Sequence, residues 1–142
     1  MKPINTVKFS FPSRSVNEGF ARSAVASFAA QADPTVDQLA DIKTAVSEAV
    51  TNCIVHGYRN TIGIITVTAS FYQENELRIV VSDRGCGIED VQQAMQPLFT
   101  TGGEERAGLG FAVMESFMDC IKVRSKPGKG TRVTLIKKLG SR

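Results

Sequence analysis

Thr35-Val-Asp-Gln-Leu39-Ala-Asp-Ile42-Lys-Thr-Ala-Val46-Ser-Glu48-Ala-Val50-Thr-Asn52-Cys53-Ile-Val-His56-Gly57 is the stretch on which the fold turns. Thr35 followed by Gln38 is a capping-box pattern that opens a helix, and Gly57 is the residue expected to stop it. Leu39, Ile42, Val46, Val50 and Cys53 recur at helical spacing and make one apolar stripe, suited to lie on a sheet. Turning about 100° per residue from Val46 puts Glu48 at about 200° and Asn52 at about 240°. Both therefore leave the opposite side of the helix, one turn apart, where their side chains can meet at one ligand. Asparagine is a poor helix-interior residue, a local conflict of the kind functional sites produce. The plainer alternative is a pair of solvated helix residues.

On the N-terminal side, Val7, Phe9 and Phe11 alternate with Lys8 and Ser10, the pattern of a strand. Ser15-Val-Asn-Glu18 is a second capping-box pattern, with a helix expected to about Gln31 before Asp33-Pro34 breaks it. On the C-terminal side, residues 64–72 and 77–82 read as strands joined by the polar Gln73-Glu-Asn-Glu76 turn. A turn follows at Asp83, then a short helix at 89–95. Residues 97–107 read as a loop centred on Gly102-Gly103, flexible enough for a lid. A third main helix is expected at 108–118, then a closing hairpin of strands 121–125 and 131–136 joined through Pro127-Gly-Lys-Gly130. Strands and helices that do not alternate strictly argue for α+β: a two-layer sandwich with helices on one face of a mixed, mostly antiparallel sheet. At 142 residues the whole chain, 1–142, fits one domain with a proper core.

Composition is that of an ordinary globule, 42% hydrophobic and 22% charged. Three widely spaced cysteines, Cys53, Cys86 and Cys120, form no Cys-x-x-Cys pair, which argues against a disulfide framework or a zinc site. The N-terminus mixes polar with apolar residues, unlike a signal peptide, and no apolar run is long enough to span a bilayer, so cytoplasm is the expected compartment and no membrane partner is expected. The net charge of +3 is uneven, with eight basic residues and no acidic one from Lys122 onward. Lys122, Arg124 and Lys126 alternate with Ile121 and Val123 and share one strand face, the usual protection of a sheet edge. The alternative is a docking surface for an acidic protein. Direct nucleic-acid binding is disfavoured, because no aromatic residue is interleaved with these charges.

Three further segments add chemistry to Glu48 and Asn52. A carboxylate such as Glu48 can take a proton from a hydroxyl, and an amide oxygen such as that of Asn52 is a hard, neutral magnesium ligand. Asp83-Arg-Gly85-Cys-Gly87 follows a strand; its carboxylate can accept from an adenine amino group while the two glycines let backbone approach the base. Gly108-Leu109-Gly110 is read as a helix opening whose free N–H groups receive phosphates, with Arg106 on the terminal phosphate. For the glycines the alternative is close helix packing, and for Arg106 a solvated loop charge. Thr131, after Gly130, is either a strand residue or a hydroxyl that helps Asp83 hold the base through water. His56 is best read as structural at a helix end. The four segments together suit a pocket for ATP and Mg2+.

Glu48-Ala-Val-Thr-Asn52-Cys-Ile-Val-His56-Gly57-Tyr58, Asp83-x-Gly85-x-Gly87, Pro97-Leu-Phe-Thr-Thr101, Glu105-Arg-Ala-Gly-Leu-Gly-Phe111 and Met114-Glu-Ser-Phe-Met-Asp119 together resemble the sporulation anti-sigma F factor family. These are serine kinases of the superfamily that joins gyrase, the chaperone Hsp90, sensor histidine kinases and MutL. The likeness covers nearly the whole chain, from Phe20-Ala-Arg22 to the closing hairpin. It implies a Bergerat ATP-binding fold and a homodimer that holds an RNA polymerase sigma factor with ATP in place and phosphorylates a serine of an anti-anti-sigma protein. By the same resemblance Glu48 is the catalytic base and Asn52 the magnesium ligand. Asp83, Gly85, Gly87 and Thr131 line the adenine side; Arg106, Gly108 and Gly110 hold phosphates, and Thr100, Thr101 and Leu109 are further nucleotide-binding positions. Glu18 and Arg22 match partner contacts. The lid, Thr101-Gly-Gly-Glu-Glu-Arg106, is shorter and more glycine-rich than the family pattern. Two alternatives remain open: an ATP-gated sigma binder without transfer, and a general stress-response homologue. A sensor histidine kinase is disfavoured, since no dimerisation helix carrying a phosphoacceptor histidine precedes the motifs.

Overall fold

The structure, a computed structural model, describes residues 2–59, 61–88 and 103–140, with 103–109 as backbone only. Strand β1 (Asn5–Pro12) is followed by helix α1 (Asn17–Ala29), a 3-10 turn (Ala30–Ala32), and helix α2 (Val36–Asn52). Helix α2 runs into a π turn (Cys53–Gly57), in which the Tyr58 N–H reaches back to the Cys53 carbonyl at 2.9 Å. Then come β2 (Ile64–Tyr72), β3 (Glu76–Asp83), helix α3 (Gly103–Phe117), β4 (Cys120–Lys126) and β5 (Gly130–Lys138). The sheet order is β1-β2-β3-β5-β4, and all four pairings are antiparallel. Helices cover one face of it, the α+β two-layer sandwich expected, but the described sheet is antiparallel throughout and not mixed.

The stripe on α2 behaves as its spacing requires. Ile42, Val46 and Val50 are fully buried and Cys53 nearly so, each aliphatic side chain contributing about 1.5–3 kcal/mol by leaving water. They join one core with three apolar cross-strand rows of the sheet: Phe9–Val67–Val81–Val133–Val123, Ala69–Ile79–Leu135–Ile121, and the Phe71–Leu77 pair beyond them. At the other end the helix-facing row reads Phe11–Ile65–Asp83–Thr131–Ser125. There the apolar surface gives out, and three polar side chains replace it.

Thr35 caps α2 as expected: its hydroxyl accepts from Gln38 N–H at 3.1 Å, and the Gln38 side chain accepts from Thr35 N–H at 3.0 Å. The Ser15 box does not form. Helix α1 begins at Asn17 with Val16 as N-cap and no side-chain cap, because Glu18 turns instead to α2 and accepts from the Ser47 hydroxyl. Gly57 does not end the helix by a left-handed turn; its φ is not positive, and the π turn passes straight through it to Tyr58.

The expected loop at 97–107 is also corrected. Helix α3 already includes 103–107, a run of Glu104, Glu105, Arg106 and Ala107 whose helix propensities outweigh Gly103. Gly108, Leu109 and Gly110 are thus interior to α3 and do not open it; the free N–H groups of its first turn belong to 103–106. The expected short helix at 89–95, the loop residues 97–102, and with them Thr100 and Thr101, lie outside the described residues.

Strand β4 is a sheet edge, and Lys122, Arg124 and Lys126 are exposed along it, as edge protection requires. Cys86 and Cys120 are exposed, Cys53 is buried, and all three are free thiols. Among the described residues no helix is long and apolar enough to cross a membrane. Gly19 sits in the first turn of α1 with open space where a side chain would grow. Gly19→Ala should therefore stabilise the protein by about 0.5–1 kcal/mol, read as a higher urea midpoint at unchanged slope.

Candidate nucleotide site

Glu48 and Asn52 do not face bulk solvent. Both are half-buried against α3, where Gly110 is the residue opposite them. A Cβ at Gly110 would stand 3.1 Å from Glu48 Oε1 and 3.3 Å from both Asn52 amide atoms. Gly110 therefore serves as a close-packing glycine that lets α3 approach this pair. The Asn52 Nδ2 atom is buried with no hydrogen-bond partner among the described residues. Such an amide costs about 1–3 kcal/mol unless something else satisfies it.

The same helix end reaches Asp83. The Cys53 thiol, next in sequence to Asn52, donates to the Asp83 carboxylate. Gly85 N–H donates to Asp83 Oδ1 at 2.8 Å, and Thr131 N–H donates across the strand pair. Gly57 gives this carboxylate room: a Cβ there would lie 2.8 Å from Asp83 Oδ2. Gly85 in turn lies against the Gly57 carbonyl, and Cys86 N–H donates to that carbonyl at 2.8 Å. Tyr58 locks the outer side, donating to Ile64 O at 2.6 Å and accepting from Arg84 N–H at 2.8 Å.

On its other flank the turn is stitched to the β4–β5 hairpin. Gly128 N–H donates to Cys86 O at 2.7 Å, and Ile88 N–H donates to Ser125 Oγ at 2.7 Å. Gly87, at φ +78°, passes so near Lys126 that a side chain would strike its carbonyl. The Asp83 turn is thus fixed between the π turn of α2 and the hairpin.

Asp83 is only 7% exposed, and burial raises its carboxyl above the usual aspartate range despite three donors that pull the other way. Burial, and then the neighbouring Asp83 charge, raise the Cys53 thiol, so it stays protonated and donates. A carboxyl whose folded-state pKa is raised holds its proton more tightly in the native protein. Stability therefore falls as pH climbs from the ordinary aspartate range through the raised value. Asp83→Asn should remove that descending slope from the pH profile of urea unfolding; an unaltered profile would place the slope elsewhere.

Glu18 and Arg22 lie on α1, paired at 3.6 Å, with Arg22 half-exposed. The Ser47 hydroxyl ties Glu18 to α2 one residue before Glu48. Of the remaining sequence candidates, the backbones of Arg106, Gly108 and Leu109 are helical within α3. Sequence reasoning missed Cys53 as a partner of Asp83, Gly57 as its clasp, and Ser125. The hairpin count around Pro127-Gly-Lys129, which sets Ser125 opposite Thr131, would have found the last.

Residues 11–137 match the histidine kinase-like ATPase domain family. An anti-sigma F factor of Thermoanaerobacter sp. (strain X514) is 60% identical over 142 residues, covering 99% of each chain. That of Caldanaerobacter subterraneus subsp. tengcongensis is 61% identical over 141 residues, covering 99% of this chain and 98% of the relative. In a solved structure, the RsbU and RsbW domains of a Mycobacterium tuberculosis protein share the fold at a TM-score of 0.71 and 23% identity, covering 96% of this chain and 32% of that one. A fold shared with that structure, an ATPase domain matched from the second half of β1 into β5, and full-length identity near three residues in five have one reading: the chain belongs to the anti-sigma F factor family, within the gyrase, Hsp90, histidine kinase and MutL superfamily.

Proposed function

We propose that residues 1–142 form a single ATP-binding kinase domain that inhibits a sigma factor, probed best as sporulation sigma F, and phosphorylates a serine of its anti-anti-sigma antagonist, acting as a cytoplasmic homodimer. The observation that carries this reading is the half-buried pair Glu48 and Asn52, set against α3 at the same end of α2 that clasps Asp83. The relatives' names add the sigma partner.

The residues fit magnesium and ATP in kind. Asn52 brings an amide whose oxygen is of the kind magnesium takes and whose buried Nδ2 has no hydrogen-bond partner among the described residues, and Asp83 offers a fixed acceptor at the polar end of the sheet. Asn52, together with phosphate oxygens, would hold magnesium, which would supply positive charge against the γ-phosphoryl group. Glu48 takes the proton of the incoming serine hydroxyl at a carboxylate oxygen. Asp83 receives the 6-amino group of adenine, with Gly85, Gly87 and Thr131 around it, and the first turn of α3, carrying Arg106, meets the phosphates. Glu18 and Arg22 contact the protein partners. Positioning supplies most of the acceleration, since the reacting groups start within a fixed frame.

The test is incubation with γ-labelled ATP, magnesium, sigma F and its antagonist from the same cell. Label on a serine of the antagonist, and sigma capture that requires ATP, are the expected results. Capture without transfer of label would reduce the protein to a nucleotide-gated binder.

A further inference from the structure

Ser125 stands at the end of the polar row, opposite Thr131 on the neighbouring strand, with Asp83 on the strand beyond. Its hydroxyl oxygen has three neighbours. Ile88 N–H donates to it at 2.7 Å, Gly130 O lies at 2.8 Å, and Thr131 Oγ1 lies at 2.9 Å. A serine hydroxyl carries one hydrogen and two lone pairs. Gly130 O can only accept, so the serine hydrogen goes there. Ile88 N–H fills one lone pair. Only one assignment satisfies the third contact: Thr131 donates to Ser125.

The Thr131 hydroxyl has then spent its hydrogen on the hairpin and keeps only lone pairs for anything beside Asp83. Asp83, as a carboxylate, also offers only lone pairs, and its Cys53, Gly85 and Thr131 donors are already placed. The polar end of the sheet is therefore an acceptor-only surface.

We propose that Ser125 is a positioning residue for base selection: by consuming the Thr131 hydrogen it makes the site accept 6-aminopurine nucleotides and refuse 6-oxopurine nucleotides. This rests on the reading of Asp83 as the base acceptor given above. A 6-amino group, or a water bonded to it, brings hydrogens to both acceptors. A 6-oxo group brings a lone pair against Thr131, which could turn its hydrogen outward to meet it were Ser125 not holding that hydrogen. Without Ser125 the threonine becomes ambivalent, and rejection of the oxo base weakens.

The experiment is calorimetric titration of the full chain with magnesium ADP and magnesium IDP, which share all but the purine 6-position. Ser125→Ala should lower the ADP-over-IDP preference about tenfold, the weight of one hydrogen bond that changes sign. Ser125→Thr, which keeps the hydroxyl, should retain the preference. Thr131→Val should lower it by a similar factor, Asp83 alone still disfavouring the oxo base, and adding Ser125→Ala to Thr131→Val should change the ratio no further. A Ser125→Ala protein that weakens for ADP and IDP equally shows a merely structural serine and overturns the proposal, as does a loss of preference that persists in the Thr131→Val background. Wild-type protein that binds no ADP overturns the nucleotide reading and this inference together. A strong wild-type ADP preference that survives Ser125→Ala overturns this inference alone.

Discussion

Glu48→Gln is expected to lower the proposed transfer of phosphate to the antagonist's serine by at least about 100-fold and to leave ATP affinity within about twofold. The substitution keeps the length and shape of the side chain and its place opposite Gly110, so the fit of α3 against α2 is preserved. It removes the one property on which the proposed role depends, the capacity to receive a proton. A positioned base is typically worth between about 100-fold and 10,000-fold, which sets the scale of the loss. The charge removed also relieves any repulsion toward a polyphosphate, so binding is not expected to weaken. Single-turnover transfer of label to the antagonist, beside an equilibrium titration of ATP, separates the two quantities. Transfer at an undiminished rate would take Glu48 out of the chemistry and leave Asn52 and the Asp83 turn as a binding site alone.

How much of this was legible in the sequence depends on the range of the interaction. Helix α2, its Thr35 cap and its buried stripe are written in residues three and four apart, and the structure follows them. The failed Ser15 cap shows where that logic stops. Glu18 has the right local spacing, but Ser47, 29 positions away, offers it a partner no local pattern displays. The start of α3 was misplaced for a different reason. Two glycines at 108 and 110 read as a break, whereas one of them is there for close approach to Glu48 and Asn52, a reason that exists only once two helices pack. The Asp83 turn was visible as a motif, yet its supports were not. Cys53, Gly57 and Ser125 act across strands and turns, and their meaning follows from register rather than composition.

Gly85→Ala is expected to lower nucleotide affinity by more than about 100-fold while leaving a folded protein, because the added methyl has nowhere to go. Its Cβ would stand 2.1 Å from the Gly57 carbonyl oxygen, 2.4 Å from the carbonyl carbon and 2.9 Å from the Gly57 Cα. All three are backbone atoms, so no side-chain rotation relieves the overlap, and the turn must separate from the end of α2. Separation breaks the bond from Cys86 N–H to Gly57 O and disturbs the one from Gly85 N–H to Asp83 Oδ1. The second loss matters more. The Gly85 N–H is the first of the three donors that offset the burial of the Asp83 charge, and without it the carboxyl either takes a proton or turns to water. Either outcome removes the acceptor a 6-amino group needs. Gly128→Ala supplies the contrast: its Cβ meets nothing within 4 Å, although its φ of +76° strains an alanine. That variant should cost about 1–2 kcal/mol of stability and retain its nucleotide affinity. If Gly85→Ala instead behaves like Gly128→Ala, losing stability but binding ATP as the wild type does, the base is read somewhere other than at the Asp83 turn.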